Sequence, residues 1–106
     1  MLVKCTKPVN IIGTGYIPLG HGKYAQVDAE DVVRLSKYHW FAKQSGSAWY
    51  AVRKVTSKNS VFFVRMHRQI MHTPKGLIVH HYNGNSLDNH KINLLNCTKA
   101  QHAFYH

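Results

Sequence analysis

The stretch Val79-His80-His81-Tyr82-Asn83-Gly84-Asn85-Ser86-Leu87-Asp88-Asn89-His90-Lys91-Ile92-Asn93-Leu94 decides how the rest of the chain is read. Leu77-Ile78-Val79, an apolar run with two β-branched residues, suits a strand that delivers His80 and His81 at its end. The Asn-Gly-Asn and Leu-Asp-Asn steps make Tyr82 to Asn89 a loop. Leu94 and Leu95 resume as a second short strand, and Thr98-x-x-Gln101 is a capping box for a final helix. On that helix His102 and His106 are four apart, so their imidazoles share a face and can share an ion. Neighbours on a strand point to opposite faces, so His80 and His81 cannot both ligate one ion without a bulge. One of the pair is then a ligand, and the other is free to take a proton from water near neutral pH.

Upstream of this unit, His67 to His72 suits a short helix stopped by Thr73-Pro74-Lys75-Gly76. Trp40 to Ala42, Ala48 to Val55 and Ser60 to Met66 suit strands. The last two flank Ser57-Lys58-Asn59 as a hairpin, in which Trp49, Ala51, Arg53 and Val55 alternate with Tyr50, Val52 and Lys54, giving a basic and aromatic face. Asp28 reads as the N-cap of a helix running to about Tyr38, with acids in its first turn. Tyr16 to Leu19 and Tyr24 to Val27 form a hairpin across Gly20 and Gly22, and Met1 to Gly15 an arm or edge strand. Without a repeat, a low-complexity tract or a linker, residues 1–106 form one domain.

Fourteen Lys and Arg against four Asp and Glu leave a formal charge of +10 before any of the nine His is counted. Such a surface expects a polyanion. No apolar run approaches the roughly 20 residues that span a bilayer, and the first residues lack a signal-peptide core, so a soluble, cytoplasmic protein is expected. Cys5 and Cys97 lie far apart with no Cys-x-x-Cys spacing and read as reduced thiols.

From Val79 to Leu94 the chain resembles the HNH nucleases, the ββα-metal or His-Me finger proteins common among phage and homing endonucleases. Met66-His67-Arg68 followed by Pro74-Lys75-Gly76 is similar to what often leads into the motif in small phage members. Ile17-Pro18-Leu19, Lys23-Tyr24-Ala25 and Tyr50-Ala51-Val52-Arg53 extend the likeness loosely towards the start. The fold the resemblance implies is α+β, with a ββα-metal finger over 65–106 preceded by a strand-rich, DNA-contacting region over 1–64 that holds a β-hairpin and one short helix. It implies that His81 is the general base, that Asn93 braces the loop, and that His80, His102 and His106 hold one divalent metal. Family members more often carry Asp at the position of His80. A nitrogen-rich site favours Mn, Zn, Ni or Co over Mg. The implied activity is hydrolysis of DNA, nicking or cutting both strands, to 5′-phosphate and 3′-hydroxyl ends by a monomer or weak homodimer. A non-catalytic DNA-binding protein with a structural metal, and an RNA-directed nuclease, are the alternatives.

Double-stranded DNA is the expected partner. Arg53, Lys54, Arg65, Arg68, Lys75, Lys91 and Lys99, with Lys58, are the expected phosphate contacts. Trp49 and Tyr50 suit either base stacking or the core. The other histidines read more plainly: His21 as a turn residue, His39 as packing or surface, His72 as a helix end, His67 as a structural link to a backbone carbonyl, and His90 as a loop residue.

Overall fold

The computed structural model describes residues 13–104, with side chains through Gln101. Most of the expected arm, together with Cys5 and His106, lies outside the described residues, as does the side chain of His102. Strands β1 (Thr14–Gly20) and β2 (Lys23–Asp28) form the expected hairpin, in antiparallel register from Thr14↔Asp28 to Gly20↔Lys23. At its tip His21 adopts a left-handed φ of 53° between two positive-φ glycines, which is the turn role expected of it. Alternation sends Ile17, Leu19, Ala25 and Val27 inward and leaves Tyr16, Pro18 and Tyr24 outside.

A 3-10 turn over Ala29–Asp31 leads into helix α1 (Val32–Leu35), shorter than the span to Tyr38 expected from sequence. The Leu35 carbonyl accepts from the Tyr38 amide at 3.1 Å and from the Trp40 indole at 2.8 Å, which ends the helix and buries the indole. Asp28 makes no side-chain cap; its Oδ2 accepts instead from the Lys91 amide. Gly15 lies under α1, where an added Cβ would come 2.0 Å from Val32 Cγ2. Val32 is β-branched and stiff, so the chain itself must give way. Gly15→Ala is expected to destabilise the fold by about 1–3 kcal/mol, read as a lower midpoint in a urea titration; a midpoint equal to wild type contradicts this packing.

Strands β3 (Phe41–Ser45), β4 (Ala48–Thr56) and β5 (Val61–Arg65) form a second antiparallel sheet in that order. Helix α2 (Met66–Met71) follows β5 directly, and His72 ends it in the left-handed conformation at φ 48°. Met66 and Ile70 of α2 join Ile17, Leu19, Ala25, Val27, Leu35, Trp40, Ala51 and Leu94 in one buried cluster. Strands β6 (Ile78–His81) and β8 (Leu94–Cys97) pair antiparallel, from Ile78↔Cys97 to His81↔Leu94. Cys97 is buried and has no disulfide partner among the described residues. Helix α3 (Lys99–Phe104) opens with the expected capping box: Gln101 N–H donates to Thr98 Oγ1 at 3.1 Å and Thr98 N–H to Gln101 Oε1 at 2.9 Å.

The expected fold class is corrected here. The described residues are strand-rich, built on three small sheets with short helices, and from residue 65 onward they do not show a ββα-metal finger. The segment between β6 and β8 is more than a loop. Its strand β7 (Asp88–Asn89) pairs in parallel with β2, Gln26↔Asp88 and Val27↔Asn89, and so becomes the third strand of the first sheet. Further ties fasten it: Gln26 N–H to the Leu87 carbonyl at 2.8 Å, Ser86 Oγ to the Trp49 carbonyl, and Thr14 Oγ1 to His90 Nε2 at 2.9 Å. The backbone groups of this segment are satisfied partly within it, as in Asp88 N–H to the Asn85 carbonyl at 3.0 Å, and partly by the N-terminal region, because a buried segment must find partners wherever the fold offers them. No helix among the described residues is long and apolar enough to cross a membrane.

Candidate active site

His81 ends β6, with its ring 5.0 Å from that of His67 on α2, and the His67 ring is 5.6 Å from that of Tyr50 on β4. These side chains line a groove of about 560 Å³ with Arg65 and Arg68. His81 Nε2 lies 2.9 Å from Asn89 Oδ1. A carbonyl oxygen only accepts, so Nε2 carries the proton and Nδ1 keeps its lone pair. The orientation leaves Asn89 Nδ2 buried without an acceptor, a local cost of holding the ring this way. Burial pushes the His81 imidazole below its ordinary 6.5, by more than the Asn89 hydrogen bond and the Asp88 carboxylate push it back up. The ring is therefore neutral and basic at neutral pH.

Asn89 is the residue that reading the sequence missed. Its position is set by the pairing of β7 with β2 opposite the core residue Val27, and it is fully buried. A two-residue strand carries no periodicity to betray it, and only its Leu-Asp-Asn context marked the place as special.

Asn93 lies buried at the end of the same segment. Its Oδ1 accepts from the Asn83 amide at 2.9 Å, and its Nδ2 donates to Asn83 Oδ1 at 3.0 Å and to the Asp88 carbonyl at 2.8 Å. Tyr82 N–H adds a bond to the Asn93 carbonyl at 2.9 Å. Both ends of the 82–93 segment are thus tied through one buried amide. Asn93→Ala removes three bonds worth about 1 kcal/mol each, so an expected loss of roughly 2–4 kcal/mol should appear in urea melts together with faster exchange of the Asn83 amide. Wild-type exchange at Asn83 in this variant contradicts the bracing role.

His80 is buried and meets the Tyr82 ring at 5.4 Å. It points away from the His81 side by strand alternation. α3, the helix that bears His102, packs beside β6. Three other groups have the composition of a cation site: Asp28, Glu30 and Asp31 have carboxylate oxygens within 4.8 Å of one another. The Lys91 ammonium already occupies that position, 2.8 Å from Glu30, 3.1 Å from Asp31 and 3.9 Å from Asp28. Burial lowers the Lys91 pKa less than these carboxylates raise it, so the ammonium stays charged and excludes a metal.

The expected phosphate contacts divide by environment. Lys91 is held by the acids, and Arg53 donates through Nε to Gln69 at 2.8 Å and covers the Tyr38 ring at 4.1 Å. Arg68 donates to the Leu77 carbonyl at 2.8 Å, joining α2 to the approach of β6. Lys54, Lys58, Arg65, Lys75 and Lys99 are exposed. His67 Nδ1 has no hydrogen-bond partner, so the carbonyl link expected of it is not made by that atom. Burial first, then the neighbouring His81, Arg65 and Arg68, hold the His67 pKa down at about 3. His90, expected in a loop, joins Asp88 and Thr14 in a hydrogen-bonded row; burial raises the Asp88 carboxyl, but hydrogen bonds from His90 and Asn83 outweigh it and hold the pKa below the ordinary value. Compared with family models, curated proteins and solved structures, the chain matches none.

Proposed function

We propose that this chain is a metal-dependent endonuclease that hydrolyses phosphodiester bonds in DNA. The observation that carries this reading is the neutral His81, with Nδ1 unprotonated and its ring held by Asn89 beside a cation-lined groove. The motif resemblance around His80, His81 and Asn93 supports it, as does the +10 charge. In the proposed step, His81 Nδ1 takes a proton from water as that water attacks phosphorus; the bond from phosphorus to the 3′ oxygen breaks, and the departing oxygen is protonated from solvent. Arg65 at the groove offers a charge to the phosphate, and the neutral His67 backs the base without competing for its proton. A divalent ion held by His80 with His102 and His106 would supply stabilisation of the negative charge that develops in the transition state. The imidazole donor set suits Mn, Zn, Ni or Co better than Mg.

The chemistry is tested by the ends it leaves. Nicked plasmid recovered from the reaction should be sealed by DNA ligase without further treatment, since hydrolysis in this direction yields 5′-phosphate and 3′-hydroxyl. Nicks that need kinase or phosphatase before sealing contradict the proposed direction of attack.

A further inference from the structure

One face of the β3–β4–β5 sheet is open towards the β5 end, although Val52 within it is buried and Tyr50 packs against His67. Register places Phe41, Lys43, Tyr50, Lys54, Phe63 and Arg65 together on it, while the opposite face turns Ala42 and Ala51 to the core. Val61, Phe62 and Phe63 are 53%, 49% and 43% exposed. Three consecutive exposed residues on a strand mean that this end of β5 projects beyond the core with both faces open. Large apolar side chains on an open edge strand invite aggregation, so their presence calls for a partner.

We propose that this face binds a single strand of nucleic acid, with unpaired bases stacked on Phe63 and Tyr50. Charge selects the occupant. The four acids of the chain are Asp28, Glu30, Asp31 and Asp88, and none lies on these strands. A second copy laid on this face would bring Lys43, Lys54 and Arg65 against their own equivalents, whereas a phosphate backbone complements them. The rings select the form. A duplex hides its base faces in its own stack, so only unpaired bases can use an aromatic platform, and every base can do so. Lys43 Nζ lies 4.8 Å from the Phe63 centroid and the Arg65 guanidinium 4.6 Å from that of Tyr50. An exposed cation–π contact is weaker than a stacked base, so an arriving base displaces the cation, which turns to the adjacent phosphate. Tyr50 and Arg65 border both this face and the His81 groove, so the platform leads a strand into the site. The inference rests on the proposed nucleic-acid partner but not on cleavage.

The test is fluorescence anisotropy with labelled oligothymidylate and a duplex of equal length, in chelator so that no cutting occurs. Phe63→Leu keeps an apolar side chain and removes the ring; it is expected to weaken single-strand binding about tenfold and duplex binding by less than twofold, while Phe63→Trp retains both. Equal binding of oligothymidylate by wild type and Phe63→Leu overturns the proposal, as does an equal loss for both nucleic acids. So does a wild-type dimer in sedimentation that Phe63→Leu abolishes, which would make a second copy the occupant. Should plasmid remain uncut while this binding pattern holds, the nuclease reading falls and the platform stands.

Discussion

Replacing His81 with alanine is expected to lower the rate of plasmid cleavage by about 10²–10⁴-fold, the usual contribution of a positioned general base. The side chain is half-buried and makes one hydrogen bond to Asn89, so the variant should stay folded, and the loss should appear in rate rather than in melting temperature. The wild-type rate carries a second signature of the same group. Because burial lowers the His81 pKa, the base is already deprotonated at neutral pH, and the rate should be flat there and fall on acidification, with a break below 6.5 that the alanine variant lacks. A break above 6.5 would contradict the dominance of burial.

Acid should destabilise the fold through His67. Its folded pKa is about 3 against an ordinary 6.5, so above 6.5 both folded and unfolded chains hold it neutral and its contribution is fully present. As pH falls below 6.5 the unfolded chain takes up a proton that the folded one refuses, and stability drops by about 1.4 kcal/mol per pH unit until the folded pKa near 3 is reached. Between pH 6.5 and 5 the expected loss is roughly 2 kcal/mol, or a fall in melting temperature of about 10 °C for a domain of this size. His67→Gln, which cannot titrate, should flatten most of that slope, with a smaller remainder from His81. A wild-type melting temperature constant from pH 7 to 5 contradicts the buried, neutral His67, and so does an equal slope in the variant.

What the chain revealed before its structure was local. The β1–β2 hairpin followed from apolar pairs between glycines, β6 and β8 from short apolar runs, and the α3 capping box from Thr98 and Gln101 alone, because each rests on neighbours in sequence. The bracing role of Asn93 is what the family resemblance implies, not something its neighbours in sequence dictate. The fold class was not legible. It turns on the pairing of Asp88 and Asn89 with β2, a parallel contact between distant segments that leaves no trace in periodicity. Lys91 reads from sequence as a free cation because its acids, Glu30 and Asp31, lie some 60 positions away. The same acids read from sequence as the first turn of a helix, which ends after one turn. Arg53 and Arg68 likewise donate to Gln69 and to the Leu77 carbonyl, partners decided by packing and not by neighbours in the chain.

The central claim is that His81 activates water for phosphodiester hydrolysis. Its most direct test incubates supercoiled plasmid with wild type and His81→Ala in turn with Mn²⁺, Mg²⁺, Ni²⁺ and Zn²⁺, and follows conversion to relaxed circles. Wild type should relax the plasmid with at least one transition metal and lose that activity in chelator, while the variant leaves it supercoiled. Plasmid left intact by wild type with every ion, or relaxed equally by His81→Ala, contradicts the claim.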